Sequence, residues 1–242
     1  MRLADRFSAT GDVLFRWRSW LPLLLLPLFL ASFLGYPGGS QGLDLGWELA
    51  YFGVSALGMA VRLLTTGTAP RGTSGRNTRE QKAAVLNTTG PYSVVRHPLY
   101  LGNYLIGLGM SLFTRTWFLP IIVSLAALLY YERIAAREEQ FLESRFGDAF
   151  REWAARVPAV LPRPSAWRPP ALPFSLPRAL DREFYAISEI MVAFFVLDIL
   201  EDWAAHGGLT LDPVWTTVAA AGALFFAIMW VRKKRRRRSS PR

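Results

Sequence analysis

The stretch LYLGNYLIGLGMSLFTRTWFLPIIVSLAALLYY, residues 99–131, decides the fold class. Two apolar runs, 99–113 and 117–131, flank Thr114, Arg115 and Thr116, and Arg115 carries the one charge in the stretch. Apolar runs approaching the ~20 residues that span a hydrocarbon core, joined by a short polar turn, read as a helical hairpin in a membrane. Outward from it, further apolar runs occupy 20–35, 46–61, 184–197 and 214–231. Several are short, which flanking residues and tilt accommodate. The expected fold is therefore all-α: a polytopic helical membrane protein with about six transmembrane helices. The bulk composition agrees, with 52% apolar residues and a mean hydropathy of +0.21 over 242 residues.

Charge tests this arrangement, because six crossings require the basic residues to fall in alternate loops. Of the 28 Lys and Arg, all but Arg115 fall on one face. Both termini are thus expected in the cytoplasm and the chain in the cell (inner) membrane, multi-pass. Arg2, Arg6, Arg16 and Arg18 ahead of an apolar run also resemble a signal peptide, but cleavage after 31–33 would leave the basic cluster unexplained, so a retained first helix is the simpler expectation. The absence of Cys excludes thiol catalysis, disulfides and thiolate metal sites. The run RKKRRRR at 232–238 reads as an orientation anchor that attracts anionic lipid at the basic tail, in preference to a nucleic-acid patch.

Composition divides the chain into an N-terminal transmembrane helix pair at 1–68, a core at 69–164, a Pro-rich cytoplasmic linker at 165–183, and a C-terminal transmembrane helix pair with the basic tail at 184–242. The core holds the unusual features. TTGPYSVVRHPLYLGNY, residues 88–104, leads a polar and aromatic passage straight into an apolar helix. Proline is favoured at the first helical position, where its missing N–H costs nothing, so the helix is expected to begin at Pro98. Its positive end, with Arg96 and His97 beside it, makes an anion site at the membrane surface. The faces of Tyr92, Tyr100 and Tyr104 can attract an organic cation. Each of these residues also has an ordinary reading, as interface residues and a headgroup-level aromatic belt.

A polar helical extension, 132–156, is expected to continue the 117–131 run past the membrane. Within it Glu138 and Glu139 neighbour Leu142 at helical spacing, so they lie at the edge of an apolar stripe and either face inward or pair with Arg133, Arg137 and Arg145 on a solvated face.

These elements, with EEQFLESRFGDAFREW at 138–153 and VPAVLP at 157–162, resemble the isoprenylcysteine carboxyl methyltransferase and phospholipid methyltransferase superfamily over about 77–162. The resemblance implies an integral membrane methyltransferase that takes a methyl group from S-adenosylmethionine, near the cytoplasmic surface, to a lipid or lipid-modified acceptor. It implies a cofactor pocket lined by Tyr92, His97, Pro98, Leu99 and Tyr100, closed by Glu138 and Glu139, with Leu86 and Asn87 contributing. It also implies an arginine near the acceptor. Arg133 is the candidate for that catalytic position, beside Glu138 and Glu139, with Arg137 as the alternative. A carboxylate, amine or phosphate acceptor all remain open. Leu99 in place of a small residue disfavours a prenylated peptide of eukaryotic type. No metal signature is present in the sequence.

The closing helix pair lies outside the resemblance. Glu189 falls within its apolar span, while Asp198, Glu201 and Asp202 share a face near the outer end. Acids in a membrane are functional candidates, so a transporter or scaffold using Glu189 and its neighbours is the alternative. For the outer three, a place at the interface beside Trp203 is the preferred reading.

Overall fold

The computed structural model describes residues 21–34, 41–70 and 83–239. Arg2, Arg6, Arg16 and Arg18, the ends of the 20–35 run, and the beginning of the 77–162 resemblance lie outside them. The described residues form only helices and connecting turns. A 3-10 turn, Leu21–Leu25, enters α1 (Leu26–Phe33), followed by α2 (Gln41–Thr68), α3 (Pro98–Phe113), α4 (Phe118–Phe146), α5 (Asp148–Arg156), α6 (Leu176–His206) and α7 (Pro213–Ser239).

Three segments are long and apolar enough to cross a membrane: Leu45–Thr68, Phe118–Phe146 and Pro213–Arg236. The six expected crossings are not all met by length and hydropathy. At 16 residues, α3 is about 24 Å long against a core of ~30 Å. At 31 residues α6 is long enough, but it carries Asp181, Glu183, Glu189, Asp198, Glu201 and Asp202. The exposed face of α4 includes Ile121, Leu125, Leu128 and Leu129, which suits a helix bordered by lipid tails.

The centre of the helical assembly is aromatic. Phe113, Phe194 and Trp215 are fully buried. Trp215 stacks on Phe194 at 5.5 Å, and Phe52 and Phe113 meet Phe194 edge-on. One cluster thus ties α2, α3, α6 and α7 together through shape-specific contacts that lipid cannot replace.

Between α2 and α3 the approach is much closer. A Cβ on Gly58 would lie 2.5 Å from the Gly102 carbonyl oxygen, and one on Gly102 would lie 2.6 Å from Cγ of Arg62. Ser55 Oγ donates across the same crossing to the Ile106 carbonyl at 2.9 Å. Small residues at the contact let two backbones touch where no hydrophobic driving force exists between helices. Here they also open a channel over α3 through which the Arg62 side chain runs.

The expected start of α3 at Pro98 is observed, with His97 at its N-cap. The 132–156 extension is not one helix. Gly147 at φ 53°, a conformation that favours glycine, ends α4 and turns the chain into α5. That turn packs α5 back against the loop before α3: Phe150, Trp153 and Val157 are buried against Leu86, Tyr92 and Leu142. Trp153 Nε1 donates to the Tyr92 carbonyl at 3.1 Å.

The proline-rich residues that follow are strapped along the same loop. Gly90 N–H donates to the Arg168 carbonyl at 2.9 Å, Arg163 N–H to the Val94 carbonyl at 3.0 Å, and Arg96 N–H to the Pro158 carbonyl at 2.9 Å. From the start of α6, Arg178 and Arg182 donate to the Gly67 and Thr66 carbonyls, satisfying the open C-terminal end of α2.

Candidate functional site

The loop before α3, the start of α3 and the polar half of α4 converge around His97. The loop and the first turn of α3 supply Arg96, His97 and Tyr100, while α4 supplies Glu138 and Glu139 from its polar half. Arg96 donates to Glu139 Oε2 at 2.7 Å, and His97 Nε2 lies 2.8 Å from Glu139 Oε1. Tyr100 Oη donates to Glu138 Oε2 at 2.8 Å, and His97 Nδ1 is 3.5 Å from the same oxygen. Both carboxylates of the α4 pair thus face the start of α3.

Because both imidazole nitrogens face carboxylate oxygens, the ring is best satisfied as the imidazolium, which has two N–H donors. Burial would lower the His97 pKa, but the hydrogen bonds and charges of Glu138 and Glu139 outweigh it and push the value up to about 9 from an ordinary 6.5. The His97 ring stacks on Tyr100 at 5.3 Å, and Tyr100 stacks on Tyr131 at 4.9 Å. A ladder of three rings therefore links the start of α3 to Tyr131 on α4.

Tyr92 sits to the side of this ladder. Its phenol is raised well above the usual value, first by burial and then by the charge of Glu138, with Arg182 and a hydrogen bond to Asn87 opposing. Asn87, Tyr92 and Leu86 line a small cavity of about 100 Å³, and Leu86 also borders a larger one of about 640 Å³ whose walls include Thr88, Trp153, Arg156 and Trp167. Neither cavity is lined by His97, Glu138 or Glu139. Pro98 is fully buried, and Leu99 is partly buried beside it.

The expected residues thus divide. Arg96, His97, Tyr100, Glu138 and Glu139 form one hydrogen-bonded cluster, and Leu86, Asn87 and Tyr92 form its flank. Arg133 lies on α4 and donates to the Leu129 carbonyl of its own helix at 2.7 Å, while Arg137 reaches Gln140 at 3.5 Å. Sequence reasoning missed a second polar group beneath the ring ladder. Arg62 on α2 pairs with Glu183 on α6 and hydrogen-bonds Asn103 on α3. A lone Asn in an apolar helix and an Arg at the end of an apolar span were the signals for it.

Among the acids of the closing pair, Glu189 is exposed, whereas Asp198 and Glu201 are buried. They lie at the opposite end of the assembly with Arg115, which is 3.7 Å from Glu201, and Glu48, which accepts from Trp215 Nε1 at 2.6 Å. Among the described residues no three His, Asp or Glu side chains form a group suited to a metal ion.

The phospholipid methyltransferase family matches residues 51–149, a segment that runs from α2 into the start of α5 and contains the whole His97 cluster. The protein-S-isoprenylcysteine O-methyltransferase of Schizosaccharomyces pombe is 30% identical over 84 residues, 35% of this chain and 36% of that protein. Over this segment the chain is thus similar to both the phospholipid and the isoprenylcysteine methyltransferases. Two further relatives carry different names. The cobalt-zinc-cadmium resistance protein CzcN of Cupriavidus metallidurans is 41% identical over 88 residues, 36% of this chain and 40% of that one. The nickel-cobalt-cadmium resistance protein NccN of Alcaligenes xylosoxydans xylosoxydans is 32% identical over 152 residues, 63% and 65% of the two chains. The match therefore covers less than two thirds of either resistance protein. No solved structure matches the chain.

Proposed function

We propose that this protein is an integral membrane methyltransferase that transfers a methyl group from S-adenosylmethionine to a lipid or lipid-modified acceptor at the cytoplasmic surface, with six crossings and both termini cytoplasmic. The observation that carries the reading is the His97 cluster within the family-matched segment. Its donor set suits the cofactor. Arg96 Nε is buried without a hydrogen-bond partner, so the guanidinium keeps a donor for a further anionic oxygen such as an amino-acid carboxylate. Glu138 and Glu139 suit ribose hydroxyls, and the rings of Tyr92 and Tyr100 suit a sulfonium.

S-adenosylmethionine supplies a methyl group already activated on sulfur. The chain's residues have then to bind, orient and exclude water. In this role His97 and Arg96 hold negative charge at the start of α3, Tyr100 and Glu138 fix the edge of the pocket, Leu86, Pro98 and Leu99 close its apolar side, and Asn87 adds a polar amide beside Tyr92. Arg133 is the residue proposed to meet the acceptor, with Arg137 one turn away. An acceptor that is already anionic needs no general base, which suits a cluster whose carboxylates are engaged by Arg96, His97 and Tyr100.

The test is calorimetric titration of S-adenosylmethionine into the detergent-purified protein, with His97→Ala and a Glu138→Gln/Glu139→Gln double variant. Micromolar binding lost in both variants is the expected result. A folded wild-type protein that fails to bind, even with lipid added, would sink the reading. Metal handling is the second reading, favoured by the names of two relatives. Calorimetry with Co²⁺ or Zn²⁺ separates the two.

A further inference from the structure

Glu183 lies outside the family-matched segment, yet it is 3% exposed and directed into it. Its Oε2 accepts from both Nε and Nη2 of Arg62, at 2.9 Å and 2.5 Å. A buried ion pair is weak evidence for stability, since well-packed apolar residues commonly serve as well. What the pair touches is more informative. Arg62 Nη1 donates to Asn103 Oδ1. An amide whose oxygen is so occupied presents its N–H₂ group elsewhere, and both the Asn103 amide and the Arg62 charge act on the Tyr131 phenol.

From Tyr131 the contacts continue as stacked rings. Tyr131 lies on Tyr100 with an interplanar angle of 13°, Tyr100 lies on His97 at 14°, and the Tyr100 hydroxyl holds Glu138. A continuous line thus runs from α6 through α2 and α3 to the α3–α4 cluster. The passage of Arg62 depends on Gly102, whose absent Cβ would meet the Arg62 side chain.

We propose that the Arg62–Glu183 pair is a positioning device for the His97 cluster: it fixes Asn103 and Tyr131, and through them the Tyr100 ring and the place of Glu138 against His97. Its catalytic meaning rests on the methyltransferase reading, but its geometric content does not. In this role the closing helix pair completes the site, because α6 supplies the carboxylate that sets the guanidinium.

The experiment uses the two-histidine content of the full chain. In a His206→Gln background, the single ¹³C-labelled imidazole reports on Arg96, Tyr100, Glu138 and Glu139, the groups that face His97. An Arg62→Gln/Glu183→Gln double variant removes both charges and strands neither, and Asn103→Ala cuts the line while leaving both charges of the pair in place. The His97 titration midpoint is expected to fall by about one pH unit in both, the size of one weakened charged hydrogen bond. S-adenosylmethionine binding by calorimetry is expected to weaken about tenfold, the same energy expressed as affinity. If the double variant does not fold, Asn103→Ala decides alone. A folded variant with an unmoved midpoint overturns the proposal. Wild-type protein that binds no S-adenosylmethionine, with a midpoint that still falls in the variants, overturns the cofactor reading and upholds the positioning.

Discussion

His97 and Glu139, 42 positions apart in the chain, meet with imidazole Nε2 at 2.8 Å from carboxylate Oε1, and the same carboxylate is held by Arg96 at 2.7 Å. The contact joins the capped start of one helix to the polar extension of another. Its energy is therefore linked to pH.

The His97 value is raised to about 9 from an ordinary 6.5 in the unfolded chain. A raised value means that the folded state binds the proton more tightly. The stabilisation is then complete below about 6.5 and is lost as pH rises through about 9. Thermal melting of wild type and of His97→Gln should differ most near pH 6, and the gap should close by about pH 9.5. A gap that widens with pH would show that His97 is held neutral.

Tyr100→Phe keeps the ring that stacks between His97 and Tyr131 but removes the hydroxyl that holds Glu138. A hydrogen bond to a charged group contributes about 1.5–3 kcal/mol. S-adenosylmethionine affinity should fall at least about tenfold by calorimetry, and the melting temperature should fall with the lost hydrogen bond.

Gly102→Leu places a side chain where Arg62 crosses α3. Overpacking of this kind costs about 1–3 kcal/mol. Melting in detergent should fall accordingly, and Gly53→Leu on α2, where nothing lies within 4 Å of the position, should be tolerated.

Trp215 is fully buried, stacks on Phe194 and donates to Glu48. Trp215→Ala should destabilise by about 3–5 kcal/mol. Since Trp215 and the His97 cluster lie at opposite ends of the assembly, any variant protein that remains folded should bind S-adenosylmethionine with wild-type affinity.

The absence of Cys makes the topology directly testable. Gly208→Cys, in the turn between α6 and α7, should react with a membrane-impermeant maleimide on intact cells. Ser165→Cys, in the proline-rich strap, should react only after permeabilisation. The reverse pattern would invert the proposed orientation.

The helical class, the hairpin at 99–131, the start of α3 and the identity of the Arg96–His97 and Glu138–Glu139 elements were legible in sequence, because each depends on local quantities: apolar run length, proline geometry and neighbouring charges. The tertiary structure alone decided which charges meet. Spacing left Glu138 and Glu139 open between an inward and a solvated position, and the hydrogen bonds to His97, Arg96 and Tyr100 turn them inward. The break at Gly147 follows from a left-handed residue whose effect shows only once α5 packs on Tyr92. Arg62 and Glu183, 121 positions apart, each read from sequence as a charge beside a membrane end. Only the close crossing of α2 over Gly102, a matter of missing side-chain volume between two backbones, brings them together under the site.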